Sequence, residues 1–273
     1  MDPGPRTLAP LDGPLARPGG YGPLLFARYA YPPNEQGYCG PADPDALLDY
    51  GAKGFVDPGL VRIAQSFRGA WPYLSLIAEV TGVGDPLDHR IVEAYWIGNR
   101  LLDRIDTVTF GRSLERRFRT SAGPAWSRLA EAIPAGGRPH HSFHVFCVYP
   151  WVGLLRREQR GGPPLRILDR CRIRPGQVVS VSGDEVVVRS RPLRWDGRQL
   201  TFGPVETETV TGAVAGRGFV TDLRPGDLVA LHWDWVCDRL TQRQLHNLLA
   251  YTAQTLRMTN ERLRHPGPAA VLD

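Results

Sequence analysis

The spacing of apolar residues changes near the middle of the chain, and this change predicts two kinds of structure. From about residue 24 to 160, apolar residues recur at helical spacing, as between Leu60 and Phe67, after a helix start predicted at Asp57-Pro58. From about residue 170, β-branched residues occur in short runs that are separated by turn sequences such as Ser182-Gly183-Asp184. We therefore expect an α-helical region followed by a small β-sheet region.

The end of the chain predicts one more strand and one more helix. Pro225-Gly226-Asp227 predicts a turn into a strand from Leu228 to Val236. Thr241 is a suitable N-cap residue for a C-terminal helix. Four leucines of that helix lie on one stripe: Leu245, Leu248, Leu249 and Leu256. The stripe indicates that the helix packs on the rest of the protein.

Breaks in the pattern define the expected domains. The first residues are rich in proline and glycine, which predicts a disordered arm over 1–22. The glycines and prolines of 161–164 mark the boundary between the helical and the sheet regions. The expected fold is α+β and multidomain, with an α-helical domain over 23–162 and a small β-barrel plus C-terminal helix over 163–265.

Composition and charge exclude several classes of function. The chain has 273 residues, of which 42% are hydrophobic and 22% charged, and its net charge is +5. Its four scattered cysteines do not form a disulfide framework, so we expect reduced thiols and a cytoplasmic protein. No signal-peptide pattern and no membrane-spanning run occurs. No phosphate-binding glycine loop and no nucleophile elbow occurs either, so we expect no catalytic residues.

A cysteine and a histidine at the two ends of the predicted barrel are the main candidates for chemistry. Cys171 opens C-R-I-R-P-G-Q-V-V, and His232 lies in P-G-D-L-V-A-L-H-W-D-W. Because side chains alternate along a strand, His232 shares a face with Asp234, whereas Cys237 points the other way. A closed barrel can bring Cys171 beside the last strand, where a thiolate and an imidazole suit iron(II) or zinc. Asp234 is placed to orient His232 from behind. The plain alternative is a cysteine that packs as a small apolar residue and a histidine that is only hydrogen-bonded.

These two motifs resemble the HypC/HupF-type maturation chaperones of nickel–iron (NiFe) hydrogenases. Cys171 and Pro175-Gly176 match the start of that family's barrel, while Pro225-Gly226-Asp227 and His232 match its end, and the resemblance covers roughly residues 168–260. It implies an OB-like barrel whose cysteine and histidine transiently hold an iron that can carry cyanide and carbon monoxide ligands. In the family the cysteine follows the removed initiator methionine, whereas here it is internal.

The helical region contains weaker metal-ligand candidates. In R-P-H-H-S-F-H-V-F-C, His140 and His144 are four residues apart and Cys147 follows three later, so the three share one face of a helix. His141 lies between them. Cys39 lies in a segment rich in tyrosine, proline and glycine, from Ala27 to Pro41, which predicts either a binding loop or an aromatic cover over the core. Hydrogen bonding in the core or at an interface is the alternative for these histidines.

From these features we expect a maturation factor that carries, scaffolds or inserts the iron centre of a NiFe hydrogenase. Its partners would be a HypD-like scaffold protein or the hydrogenase large subunit, and it would act as a chaperone rather than an enzyme. One alternative is a metal- or cofactor-dependent enzyme of the helical region that uses His140, His144 and Cys39. A third is a basic barrel that binds nucleic acid, which requires exposed aromatic residues on the barrel. The candidates for that role are Trp195, Phe202, Trp233 and Trp235.

Overall fold

A computed structural model describes residues 21–122, 136–157 and 162–264. Most of the predicted arm, residues 1–20, lies outside the described residues, but its last two residues, Tyr21 and Gly22, already belong to the first helix.

The described residues before 172 are mainly helical. Its helices are α1 (Tyr21–Glu35), α2 (Asp45–Lys53), α3 (Pro58–Ser66), α4 (Trp71–Thr81), α5 (His89–Trp96), α6 (Thr107–Ala122), α7 (His141–Phe143, continued by a π-helical turn, His144–Val148), α8 (Trp151–Leu154) and α9 (Gly162–Cys171). Single 3₁₀ turns cover Arg100–Arg104 and Leu155–Arg157. The predicted start of α3 is confirmed, because the Asp57 carboxylate accepts hydrogen bonds from the free backbone N–H groups of Gly59 and Leu60.

The region after residue 173 is a sheet. Its strands are β1 (Arg174–Ser182), β2 (Glu185–Ser190), β3 (Leu193–Trp195), β4 (Leu200–Phe202), β5 (Glu206–Thr211), β6 (Ala213–Val214), β7 (Arg217–Gly218), β8 (Leu228–His232) and β9 (Trp235–Arg239). Five of them close on one another in the order β1-β2-β5-β9-β8, and β3-β4 and β6-β7 form separate hairpins. The sheet is mixed, since β5 and β9 run parallel and pair only at Thr211 and Trp235.

A long C-terminal helix, α10 (Gln242–Arg264), follows the sheet. Its predicted cap is confirmed: Thr241 Oγ1 accepts from the Gln244 N–H, and the Gln244 side chain accepts from the Thr241 N–H, which is a capping box. Helices, a mixed sheet and a terminal helix together agree with the predicted α+β class.

The strand predicted from Leu228 to Val236 is wrong. The chain turns at Trp233 and Asp234, so that β8 ends at His232 and β9 starts at Trp235, directly opposite His232 in the hairpin. Trp233 has a positive φ of 52°. A turn of this kind normally contains glycine, and for this reason the sequence W-D-W-V did not suggest one.

The helical region and the barrel share a hydrophobic core. Apolar residues of α1, α4 and α5 pack in one cluster with barrel residues that include Phe219, Trp235 and Cys237, and with Leu248 of α10. Tyr31 contacts both Phe219 and Trp235 edge-on. Residues 158–161, just before the predicted domain boundary, lie outside the described residues, and independent folding of the two regions stays a prediction.

No helix in the described parts of the chain combines the length and the apolar character that crossing a bilayer requires.

Candidate functional site

Two prolines near the end of α1 leave backbone carbonyl groups free to bind other parts of the protein. In an α-helix the carbonyl of residue i accepts from the N–H of residue i+4. Pro33 occupies that position for Tyr29 and has no N–H to donate. The Tyr29 carbonyl instead accepts a hydrogen bond of 2.7 Å from Nδ1 of His232, the last residue of β8. The helix therefore holds the imidazole by its backbone.

This hydrogen bond determines where His232 keeps its lone pair. Because a carbonyl can only accept, Nδ1 carries the hydrogen and Nε2 is the unprotonated nitrogen. His232 is fully buried, and its Nε2 has no hydrogen-bond partner among the described residues. Buried polar atoms without a partner are rare in folded proteins and require an explanation. A backbone carbonyl on one ring nitrogen and an open lone pair on the other is the usual arrangement of a metal-binding histidine.

Cys171 and His141 complete a cluster around this lone pair. Cys171 ends α9, and His141 begins α7. One ligand atom from each of His141, Cys171 and His232 lies within 4.8 Å of the other two, and all three residues are buried. The structure thus brings together Cys171 and His232, as expected from the sequence, and adds a histidine from the helical region. Metal–ligand bonds of roughly 2.0–2.3 Å place the ligand atoms of one ion about 3.5 Å apart, so the cluster needs only a small contraction.

His141 differs from His232 because both of its ring nitrogens have partners. Its Nε2 donates to the Cys171 carbonyl at 2.8 Å, and its Nδ1 lies 3.4 Å from the Tyr95 hydroxyl, which can donate to it. Coordination through His141 would replace one of these two hydrogen bonds. His232 is therefore open to an ion as it stands, whereas His141 must exchange a partner.

Burial controls the protonation of the cluster. Desolvation lowers the pKa of His141 to about 4 and places that of His232 well below its ordinary value, so both imidazoles are neutral at physiological pH. Burial also raises the pKa of the Cys171 thiol far above its ordinary value, and the nearby Cys39 raises it further. Without a cation the thiol stays protonated, so an ion that binds here must displace one proton from sulfur.

The predicted role of Asp234 is wrong. Asp234 is about half exposed, and its carboxylate pairs with Arg170 at 2.8 Å. The backbone of Tyr29 takes the orienting position that the sequence suggested for Asp234. The reason is the turn at Trp233-Asp234, which removes Asp234 from the face of β8. The alternation argument for Cys237 fails for the same reason, although Cys237 does lie outside the three-residue cluster.

The second predicted group, His140, His144 and Cys147, is not brought together. His140 precedes α7 and its ring stacks on Tyr251. The Nδ1 atom of His144 lies 3.3 Å from the Tyr73 hydroxyl. Cys147 instead faces α10, where its sulfur lies 3.9 Å from Thr259. His140 is the N-cap of α7 and has an extended backbone, so it does not share a helical face with His144. The π-helical turn over His144–Val148 changes the angular spacing between His144 and Cys147.

Cys39 lies near the cluster but outside its three ligands. Its half-buried thiol follows the end of α1, so the segment from Ala27 to Pro41 is mostly helix rather than a loop. Asn34 donates to the carbonyls of both Cys39 and Pro41 at 2.7 Å and fixes the short turn after the helix. Burial raises the pKa of the Cys39 thiol to about 12.

Two of the four aromatic residues required by the nucleic-acid alternative are buried. Trp233 stacks on Tyr38 with 4.4 Å between ring centroids, and Trp235 packs against Tyr31 and Phe219. Neither ring is available as a platform for a base.

The sequence did not single out His141 or Tyr29. His141 was one of three neighbouring histidines, and nothing in the residue pattern distinguished it. Tyr29 acts through its backbone, and the only available indication was the proline four residues later.

Residues 19–266 match the model of a family of unknown function, DUF6390. The chain belongs to this family. No curated protein and no solved structure matches the chain. The DUF6390 match spans the helical region, the barrel and α10, so it includes all three residues of the candidate site.

Proposed function

We propose that this DUF6390 protein binds a transition-metal ion through His141, Cys171 and His232, and that the ion is iron that it carries as cargo. The observation behind the proposal is the buried Nε2 lone pair of His232, which lacks a partner and lies beside the Cys171 thiol. One thiolate and two neutral imidazoles suit borderline ions such as iron(II), and they disfavour magnesium and calcium, which prefer oxygen ligands.

The ligand set favours carriage over permanent storage. Three protein ligands leave coordination positions for exogenous groups, whereas structural sites are usually closed by four. His141 can return to the Cys171 carbonyl and to Tyr95 when the ion leaves, because those hydrogen bonds exist without it. Release of the ion therefore returns His141 to both of its partners and leaves the Nε2 lone pair of His232 open.

The resemblance of residues 168–260 to HypC-type chaperones suggests what the cargo is for. On this proposal the protein acts in the cytoplasm, and its iron, with or without cyanide and carbon monoxide ligands, is destined for a NiFe hydrogenase. A HypD-like scaffold or the hydrogenase large subunit would be its partner. The histidine from the helical region is a ligand that the two-residue barrel site lacks, and it would give the fused helices a role in holding the ion.

The test begins with protein purified without oxygen. Iron per chain is measured by elemental analysis, and an infrared spectrum is recorded for iron-bound cyanide and carbonyl stretches. Iron near one per chain supports the metal site, and the infrared bands support the hydrogenase assignment. Iron without such bands would retain the site and remove the hydrogenase role.

Two cysteine variants separate a ligand from a core residue. Cys171→Ala should abolish iron binding, because the thiolate is the anionic ligand that a neutral imidazole cannot replace. Cys237→Ala is the matched control, since Cys237 is equally buried but lies outside the cluster, and it should keep its iron. Circular dichroism checks that both variants fold, and hydrogenase maturation in cells checks the partner. Retention of iron by Cys171→Ala would overturn the proposed site.

A further inference from the structure

Two stacked aromatic rings, Tyr38 and Trp233, adjoin the buried cluster through the apolar group that Trp233 shares with Cys171. Tyr38 is 46% exposed, and Trp233 beneath it is 8% exposed. Cys171 shares an apolar cluster with Trp233 and is 6% exposed, while His232, which directly precedes Trp233, is 0% exposed. Exposure therefore falls in order from the Tyr38 ring to the His232 imidazole.

The backbone that supports Trp233 is strained. Trp233 has φ 52°, a left-handed conformation that is unusual for a bulky side chain. Such conformations persist only where the surroundings hold them, and they concentrate at switches and ligand clamps. The indole Nε1 of Trp233 is also buried without a hydrogen-bond partner among the described residues. The ring is thus held in place against both backbone strain and an unpaired donor.

Arg170 supplies two of the bonds that hold the strained turn. Its carbonyl accepts from the Trp233 N–H at 2.7 Å, and its guanidinium pairs with Asp234 at 2.8 Å. A third bond comes from Thr211, whose N–H donates to the Asp234 carbonyl at 2.7 Å. Arg170 is the residue immediately before Cys171, so the group that latches the turn is joined covalently to a residue of the cluster. The ion pair is partly exposed on both sides and is accessible to solvent.

We infer that the Trp233-Asp234 turn is a gate over the His141–Cys171–His232 cluster, with the Tyr38–Trp233 stack as its cover and the Arg170–Asp234 ion pair as its latch. Breaking the latch releases the strained turn and uncovers Cys171. The inference deepens the proposed function by naming the route of the ion. The contacts that define the gate do not require a bound metal, so experiments can refute the gate and the metal site independently.

The gate is tested on the full-length, metal-free protein by the rate at which iodoacetamide alkylates each cysteine, read by peptide mass spectrometry. Asp234→Asn removes the charge of the latch and should speed alkylation of Cys171 about fivefold, the upper range for a solvent-exposed ion pair. Trp233→Gly removes the cover and should speed it on the order of tenfold or more, because local opening then requires less disruption. Cys237, which is buried in the shared core, should keep its wild-type rate in both variants and reports general unfolding.

Ala215→Gly is the matched backbone control. Ala215 is exposed and also has a positive φ, so this variant relieves strain in the β6-β7 hairpin without touching the gate, and both cysteines should react at their wild-type rates. Unchanged alkylation of Cys171 in Trp233→Gly and Asp234→Asn would overturn the gate. Equal acceleration of Cys171 and Cys237 would overturn it as well, because it would show general loosening. If the wild-type protein binds no iron but Cys171 is alkylated faster in both gate variants, the result would instead count against the proposed function and leave the gate in place.

Discussion

Acid should destabilise this protein in a range set by its buried histidines. Burial lowers the pKa of His140 and His144 to about 3 and that of His141 to about 4, and it places the pKa of His232 well below the ordinary value. The unfolded chain protonates histidines near pH 6.5, whereas the folded chain keeps these four neutral. The unfolded state therefore binds more protons below pH 6.5, and the free energy of unfolding falls as the pH falls.

The expected loss is large. Between pH 7.5 and 5.5, one histidine that stays neutral in the folded state lowers the free energy of unfolding by about 1.4 kcal/mol, and four lower it by about 5.5 kcal/mol. Domains of this type unfold with a total of roughly 5–15 kcal/mol, so the change is readily measured. The assay is urea unfolding of metal-free protein at several pH values between 5.5 and 7.5.

A variant outside the proposed metal site isolates the contribution of one of the four histidines to this loss of stability with falling pH. His144→Gln removes a titrating ring but leaves His141, Cys171 and His232 in place. Its free energy of unfolding should therefore fall by about 1.4 kcal/mol less than that of the wild type between pH 7.5 and 5.5. The comparison uses the change with pH, because the substitution also alters absolute stability through its contact with Tyr73. An unfolding free energy that stays constant over this range would refute the buried, neutral state of the histidines.

Two matched pairs test other parts of the structure by urea unfolding. Glu208→Gln should lower the free energy of unfolding by about 3–5 kcal/mol, because it removes the charge partner of the buried Arg174. Glu206→Gln on the same strand breaks an exposed ion pair and should lower it by about 1 kcal/mol or less. Equal losses for the two variants would contradict the buried ion-pair network. Gly98→Ala should lower the free energy of unfolding clearly more than Gly84→Ala does. Both glycines have a positive φ, but a Cβ at Gly98 would lie 2.1 Å from the Tyr251 ring, and one at Gly84 meets nothing within 4 Å. Similar losses for the two would show that Tyr251 moves aside.

Elements with strong local patterns could be predicted from the sequence. The cap at Asp57, the turn at Ser182-Gly183-Asp184 and the helix after Thr241 all occur where the residues indicated. Each depends on side chain-to-backbone bonding or on turn conformations within a few residues. The strand from Leu228 to Val236 failed because tertiary contacts, chiefly with Arg170, hold Trp233 in a conformation that its residue type does not favour.

The candidate site could be predicted only in part, for a similar reason. Cys171 and His232 lie at the ends of a recognisable barrel pattern, and the closure of the barrel explains why they meet. His141 comes from a separate region of the chain, and its approach depends on contacts of α7 with Cys171 at the end of α9 and with the His232 ring. The roles given to Asp234 and to the His140–Cys147 group assumed regular strand and helix geometry, which the chain abandons at both places.

Three departures from regular structure surround the cluster, and each has a consequence for it. Pro33 in α1 frees the Tyr29 carbonyl that orients His232. The π-helical turn over His144–Val148 follows the short helix that begins at His141, and Cys147 within it faces Thr259 rather than the cluster. The strained Trp233 packs in one apolar cluster with Cys171 and directly follows His232, the last residue of β8. Local rules tend to be broken where function requires it, because stability alone selects against each departure. Their convergence on one buried lone pair is therefore an argument for a functional site that does not depend on the resemblance to any family.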